Sequence, residues 1–394
     1  MKQKILTLLL AFMPLMASAD ESGTCGENLT WTYEATTGTL KISGSGDMYD
    51  PNWNEYESVF LWHSFREEIK EIKFEDGITS IGNYAFYGFK RLETLEILNG
   101  IEKIGYEAFA GCENLISVSV PNSLSYIDRF AFYECNALTS VNISDIEAWC
   151  RITFNESQSN PLTFAHHLLL NGKEIVDLII PDGITSINDN AFEGCLSINT
   201  LTLPNSILTI GNSAFFSCTN LISVSIPNSV TTIGECSFSG CSNLISVNLG
   251  NSLNSIGKVA FGSCSSLSSI SIPNSVTTIG ERAFEHCATL SSVSLGSGLT
   301  SLEDYTFAYC NRLESITIPD NITNIGYSAF RDCSALSSAV IGDGVIKIGG
   351  DAFFQCSNLK SVLLGSSVEV IDMQAFVCCY SLESINIPKT VKTI

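Results

Sequence analysis

Fifteen cysteines and four histidines are the side chains of this 394-residue chain that could hold a metal, form disulfides or act as nucleophile and base. Their spacing argues against all three. Eleven of the cysteines (Cys112, Cys135, Cys195, Cys218, Cys241, Cys264, Cys287, Cys310, Cys333, Cys356 and Cys379) share a phase of 23 residues, broken by one longer step. No C-x-x-C occurs, and His63, His166, His167 and His286 stand in no H-E-x-x-H or other ligand spacing, so no metal is expected. Cysteines in phase on stacked strands hold parallel Cβ atoms about 4.8 Å apart, beyond the roughly 3.5–4.5 Å of a disulfide. The expectation is a ladder of free, buried thiols acting as small apolar groups, with Cys25, Cys150, Cys236 and Cys378 outside it. There is no G-x-S-x-G and no P-loop, and the many serines fill repeat positions; neither catalysis nor a cofactor is expected.

The phase itself is what must position every side chain. A phenylalanine precedes each ladder cysteine by three residues, from Phe109 to Phe376, and Phe86 opens the series with Phe89 in the cysteine's place. Each step is 23 residues except Phe132 to Phe192, which is 60. Such a phase marks a repeat protein. In the copy Gly211–Ile233, Leu221, Val224 and Ile226 end in the alternation of a strand with one buried face. Pro227 stops the strand and Asn228-Ser229 turns the chain. Val230 and Ile233 then mark a second short extended segment, and Ala214-Phe215 and Cys218 fill the corner. One coil buries too little to fold alone, but stacked coils bury a continuous core. The pattern predicts a mostly β, leucine-rich repeat solenoid of about 12–13 coils, with the right hand usual for parallel β crossovers.

The corner A-F-x-x-C and the turn I-P-x-x-V-x-x-I-G, as in Ala214-Phe215…Cys218 and Ile226-Pro227…Ile233-Gly234, closely resemble the BspA-like class of leucine-rich repeats over residues 69–394. The resemblance implies a surface-associated or secreted protein, of the kind found in anaerobic bacteria and some protists. It also implies attachment to host matrix proteins such as fibronectin and fibrinogen, or to other bacteria.

Residues 1–19 have the charged start (Lys2, Lys4), apolar run and Ala17-Ser18-Ala19 end of a signal peptide. The run is too short to span a bilayer, and no later stretch reaches membrane length. An exported chain, extracellular or at the cell surface, is expected. The formal charge of −21, or −23 without the two lysines of that segment, disfavours nucleic acid as a partner. Acids such as Asp76, Asp182, Asp320 and Asp343 fall in turns and are read as a solvated surface.

Residues 20–68 read as an N-terminal β-rich cap, with a strand over Cys25–Tyr33, a turn at Thr36-Thr37-Gly38 and a second strand at Thr39–Ile42. The aromatics Trp53, Tyr56, Phe60, Trp62 and Phe65 then cover the first coil. Regular repeats follow over 69–143 and 181–394. Between them, 144–180 is an enlarged coil. It has a capping box at Ser144–Glu147, a short helix through Ala148, Trp149 and Cys150, and a hairpin turning at Asn171-Gly172. Insertions in solenoids often carry function, which makes Trp149, His166, His167 and Asn171 candidate ligand contacts; the alternative, favoured for a Trp and a Phe, is that Trp149 and Phe154 pack on the neighbouring coil. The outward strand positions give the second candidate, a concave ribbon of Glu96, Ser119, Asn142, Thr202, Ser225, Asn248, Ser271, Ser294 and Thr317. The function expected is non-enzymatic adhesion: an extracellular protein or cell-surface ligand, a host matrix protein among them, docks on that face. A glycan-binding surface module using the cap aromatics and the insert, or a structural spacer without a ligand, are the alternatives. The last coil stops at Ile394, short of the next marker position, which predicts that more chain or another chain covers it.

Overall fold

The structure, a computed structural model, describes residues 21–394; the segment read as a signal peptide lies outside the described residues. Gly211–Ile233 shows why a coil closes. Ser223–Ser225 is the long strand, with Val224 buried and both serines exposed. After Pro227 the chain turns into the short strand Thr232–Ile233, whose isoleucine is buried. Each strand pairs in parallel with its equivalent one coil on: Val224 with Val247, and Ile233 with Ile256. Repetition gives a mostly β solenoid in which the long strands form three successive sheets and the short strands three more.

The corner carries no strand, yet it too is a ladder. Three successive turns close through Ala214 N to Gly211 O, Phe216 N to Ser213 O and Cys218 N to Phe215 O. Between them, the N–H groups of Ser213, Phe215 and Ser217 donate to Glu235, Ser237 and Ser239 of the next coil at 2.7–2.8 Å. The first and third turns need a left-handed third residue, which Ser213 (φ 51°) and Ser217 (φ 56°) supply. Every Phe-marked corner repeats both left-handed sites, and most are not glycine. Val259, at φ 55°, is the costliest occupant because a β-branched side chain resists this region. Val259→Asn is expected to raise the unfolding free energy by about 1 kcal/mol in urea melts; a loss would show that the valine's packing outweighs its strain.

Inside the corner the marker rings stack. From Phe192 to Phe376 successive centroids lie 5.2–5.7 Å apart with planes within 12°. The ladder cysteines have a polar task as well as an apolar one. Ten of the eleven thiols donate to the carbonyl of the marker phenylalanine 26 residues earlier, with sulfur–oxygen distances of 3.1–3.4 Å. That carbonyl, which in nine of the ten cases already accepts the turn-closing N–H of the residue three on, gains a second donor. All fifteen cysteines are free thiols. Burial pushes the thiols of Cys241 and Cys287 up to about 12. Only Cys236, Cys378 and Cys379 are partly exposed. A thiol reagent applied to the native chain is therefore expected to label at most these three, and all fifteen after denaturation. Labelling of Cys241 or Cys264 in the folded chain would contradict this packing.

Two runs of coils exist, and each begins against a tryptophan. In a regular coil the alanine carbonyl before the marker accepts from the previous coil's phenylalanine N–H, as Ala214 O does from Phe192 N. Ala85 and Ala191 open their runs and have no such donor. Trp62 Nε1 donates to Ala85 O at 2.7 Å, and Trp149 Nε1 donates to Ala191 O at 2.8 Å. The carbonyl one residue earlier is met by His63 Nε2 in the first run (3.0 Å to Tyr84 O) and by Asn160 Nδ2 in the second (2.7 Å to Asn190 O). The segment 144–180 thus starts the solenoid afresh. The cap does the same at the chain's N-terminal side, where Trp62 lies on Phe86 at 5.7 Å and 10°.

Several details depart from the sequence reading. Trp149 is 1% exposed, so it is a core residue and cannot face a ligand. The helix Ile146–Arg151 is capped by Asp145, whose carboxylate accepts from Glu147 N and Ala148 N, rather than by a box starting at Ser144. The first cap strand is Leu29–Glu34, paired antiparallel with Thr39–Gly44, and Glu21–Thr24 adds a strand that the sequence does not announce. Turn acids do more than meet water: Asp320 accepts from Asp343 N and Asp343 from Ser366 N, and that bond holds the Asp343 carboxyl below its usual range.

His63 is buried, and burial lowers its pKa from 6.5 to about 4. The folded state keeps it neutral while the unfolded chain takes up a proton below pH 6.5. Its contribution is complete above that value and is lost as pH falls from 6.5 towards 4, by up to about 3 kcal/mol. Urea melts between pH 7 and 4.5 are expected to show this loss, and His63→Gln to remove most of the pH dependence in that window.

Candidate binding faces

The long strands bring the sequence-derived ribbon together. Glu96 stands beside Ser119, Ser119 beside Asn142, Ser225 beside Asn248 and Ser271 beside Ser294, each pair on adjacent strands. Glu96, Thr202, Ser225, Asn248, Ser271, Ser294 and Thr317 are exposed; Ser119 and Asn142 are half-buried. The reason is the strand period: Val118, Val141, Val224 and Ile270 point inwards, so their neighbours point out. The face is small and polar, with three apolar interruptions at Ile179, Val340 and Leu363. Asn142 is partly committed, because its side-chain oxygen accepts from Gly172 N at 2.7 Å.

The insert residues separate. His166, His167 and Asn171 are exposed, unlike Trp149. His166 Nδ1 lies 3.0 Å from Gly194 O, and His167 contacts the Glu174 carboxylate across the hairpin. Asn171 (φ 51°) and Gly172 (φ 77°) make the turn. The hairpin strand Leu168–Leu170 pairs in parallel with Val141–Ile143 and so prolongs the long-strand ribbon. Among the described residues no three His, Cys, Asp or Glu side chains gather as a metal site, and no helix is long and apolar enough to cross a membrane.

A family model described as a BspA type leucine rich repeat region of 6 copies matches residues 63–169, 163–291 and 277–394. This chain belongs to the BspA-type leucine-rich repeat family. Its BspA-type coils share their architecture with a leucine-rich repeat protein from Bacteroides ovatus ATCC 8483, at 24% identity and a TM-score of 0.54, covering 94% of this chain and 98% of that one. A leucine-rich repeat protein from Eubacterium ventriosum ATCC 27560 is similar at 21% identity and a TM-score of 0.51, covering 80% and 95%. At these identities the likeness concerns the fold. No curated protein gives a significant match.

The sequence reading named Trp53 and Tyr56 among the cap aromatics but not the corner rings that continue from them. Trp53, 51% exposed, lies 5.2–5.4 Å from the rings of Tyr56, Tyr84 and Tyr87. From Tyr84 the rings continue to Tyr106 at 5.5 Å and Phe130 at 5.9 Å, and Tyr133 adjoins Phe130 at 5.6 Å. These residues sit in the corners, not on the strands. Reading the repeats in columns two or three residues before the marker, and one after it, would have found them.

Proposed function

We propose that this BspA-type chain is a non-enzymatic binding protein of the cell exterior, whose long-strand face docks an extracellular protein. The observation that carries the reading is the run of outward, weakly charged side chains from Glu96 to Thr317, most of them exposed, on parallel strands whose alternate side chains are buried or mostly buried. Solenoids characteristically offer such extended faces. A face without aromatic or arginine anchors binds weakly per unit area, and its length compensates by engaging several contacts at once. A host matrix protein is the partner class that the family resemblance favours, and the N-terminal segment 1–19 supports export.

The test is a pull-down with residues 20–394 from extracellular-matrix and bacterial-envelope extracts, beside the double variant Ser271→Arg/Ser294→Arg. Both serines are exposed on adjacent strands, so the fold should survive. A partner retained by the parent and lost by the variant is expected. Capture of no partner, or equal capture by both chains, would refute the assignment to this face.

A further inference from the structure

We propose that the corner strip Trp53, Tyr84, Tyr106 and Phe130, with Tyr87 and Tyr133 beside it, is a stacking platform for a neutral polysaccharide chain. It lies on a different side of the coil from the long strands and does not depend on the function assigned to them.

Three observations select this ligand. The first is shape. The rings follow one another at 5.4, 5.5 and 5.9 Å, from the cap across the first three coils. The strip is long and about one ring wide, and it suits a chain-like ligand better than a globular one. Trp53 and Tyr133, the residues at its two ends, are the most exposed of the six, at 51% and 39%. A pyranose ring offers an apolar C–H face to such a surface and hydroxyls at its margin, where tyrosine hydroxyls and Glu107 can meet them. The rings are already fixed by edge-to-face packing on one another, Trp53 against Tyr87 at 86° and Tyr106 against Phe130 at 89°, so little ordering is needed on binding.

The second is what covers corner rings elsewhere. In later coils Arg282 lies over Tyr305 at 4.1 Å, Arg331 lies over Phe354 at 4.4 Å, and His286 stacks on Tyr309 at 4.4 Å. Those faces are occupied by the chain's own side chains. Among the described residues no cation lies over a ring of the N-terminal strip.

The third is charge. Glu107 and Glu134 stand close enough to push the Tyr87 hydroxyl's pKa up, after burial as the larger cause. The two cations that act on the Tyr87 hydroxyl, Arg66 and Lys90, are paired with Glu57 and Glu113. A polyanionic glycan would meet these carboxylates, whereas an uncharged one would not.

The chain supplies its own reporter. Trp31, Trp62 and Trp149 are buried and Trp53 alone is exposed, so a change in tryptophan emission on adding a polysaccharide reads this strip. Hydroxyethyl cellulose, galactomannan, xyloglucan and laminarin would be titrated, with heparin and poly-L-lysine as charged controls. At least one neutral polymer is expected to shift the emission to shorter wavelength and to retard the protein in affinity electrophoresis. Trp53→Ala should weaken the retardation at least tenfold. Tyr133→Ser, which leaves the reporter in place, should weaken the fluorescence titration several-fold, with unchanged circular dichroism in both variants. The proposal falls if none of the four neutral polymers binds. It falls equally if both variants bind as the parent does, or if poly-L-lysine alone shifts the emission, which would mark a surface for cationic peptides.

Discussion

Phe261→Ala is expected to lower the unfolding free energy by about 3–5 kcal/mol. The ring is fully buried in the middle of the second run, 5.4 Å from Phe238 on one side and 5.4 Å from Phe284 on the other. Removing it leaves a void between two rings that the inter-coil hydrogen bonds hold at a fixed separation, so the cavity cannot collapse. Phe261 N still donates to Ala283 O, and Cys287 still donates to Phe261 O, because both bonds use the backbone of residue 261. The loss is therefore one of packing alone. Ser271→Ala, on the exposed face of the same coil region, should change stability by less than about 0.5 kcal/mol. Urea melts of the two variants check both values; comparable losses would mean that the faces are inverted.

Trp149→Ala should cost as much or more, and in a different manner. The indole fills the start of the second run, touching Phe154 at 5.4 Å, and its N–H satisfies Ala191 O. Alanine creates a cavity worth about 3–5 kcal/mol and removes the shorter of two bonds to Ala191 O, leaving Asn160 Nδ2 at 3.3 Å, a further loss of about 0.5–1.5 kcal/mol. Trp149→Phe keeps most of the bulk and isolates the second penalty. Because 144–180 lies between two runs that each have their own ring stack, the alanine variant should also unfold in two steps where the parent unfolds in one. Circular dichroism and the emission of the remaining tryptophans, followed together through a urea titration, would show this. Coincident transitions in the alanine variant would mean that the runs are coupled through other contacts.

The repeat itself was legible because every coil restates the same constraint. The strand alternation around Val224, the stop at Pro227 and the inward Phe215 and Cys218 all appear where the pattern places them. What the thiols do was not legible. The cysteine periodicity says that the site is small and buried, but the partner carbonyl is 26 residues away and belongs to the backbone. Trp149 is of the same kind: its size favours burial, but its partner, Ala191, is 42 residues on, so its anchoring role could not be read from the sequence. Ser144 and Asp145 are both good caps, and the choice rests on which residue enters extended, here Asp145 at φ −149°. Glu21–Thr24 carries no apolar alternation and is held by pairing with Leu29–Glu34. The aromatic strip is hidden from a strand-based reading, because alternation reveals outward positions on strands only. Tyr84 and Phe130 occupy left-handed turn sites, where a bulky side chain is not the residue that the turn itself favours.

The bonds that join one coil to the next run along the stacking direction. A tether pulling on the two ends of the chain would load them one coil at a time, as a zipper is opened, and not all together as in a sheared sheet. Each coil that lets go frees 23 residues, roughly 80 Å of slack. An array built this way would yield stepwise under load and re-form when the load drops.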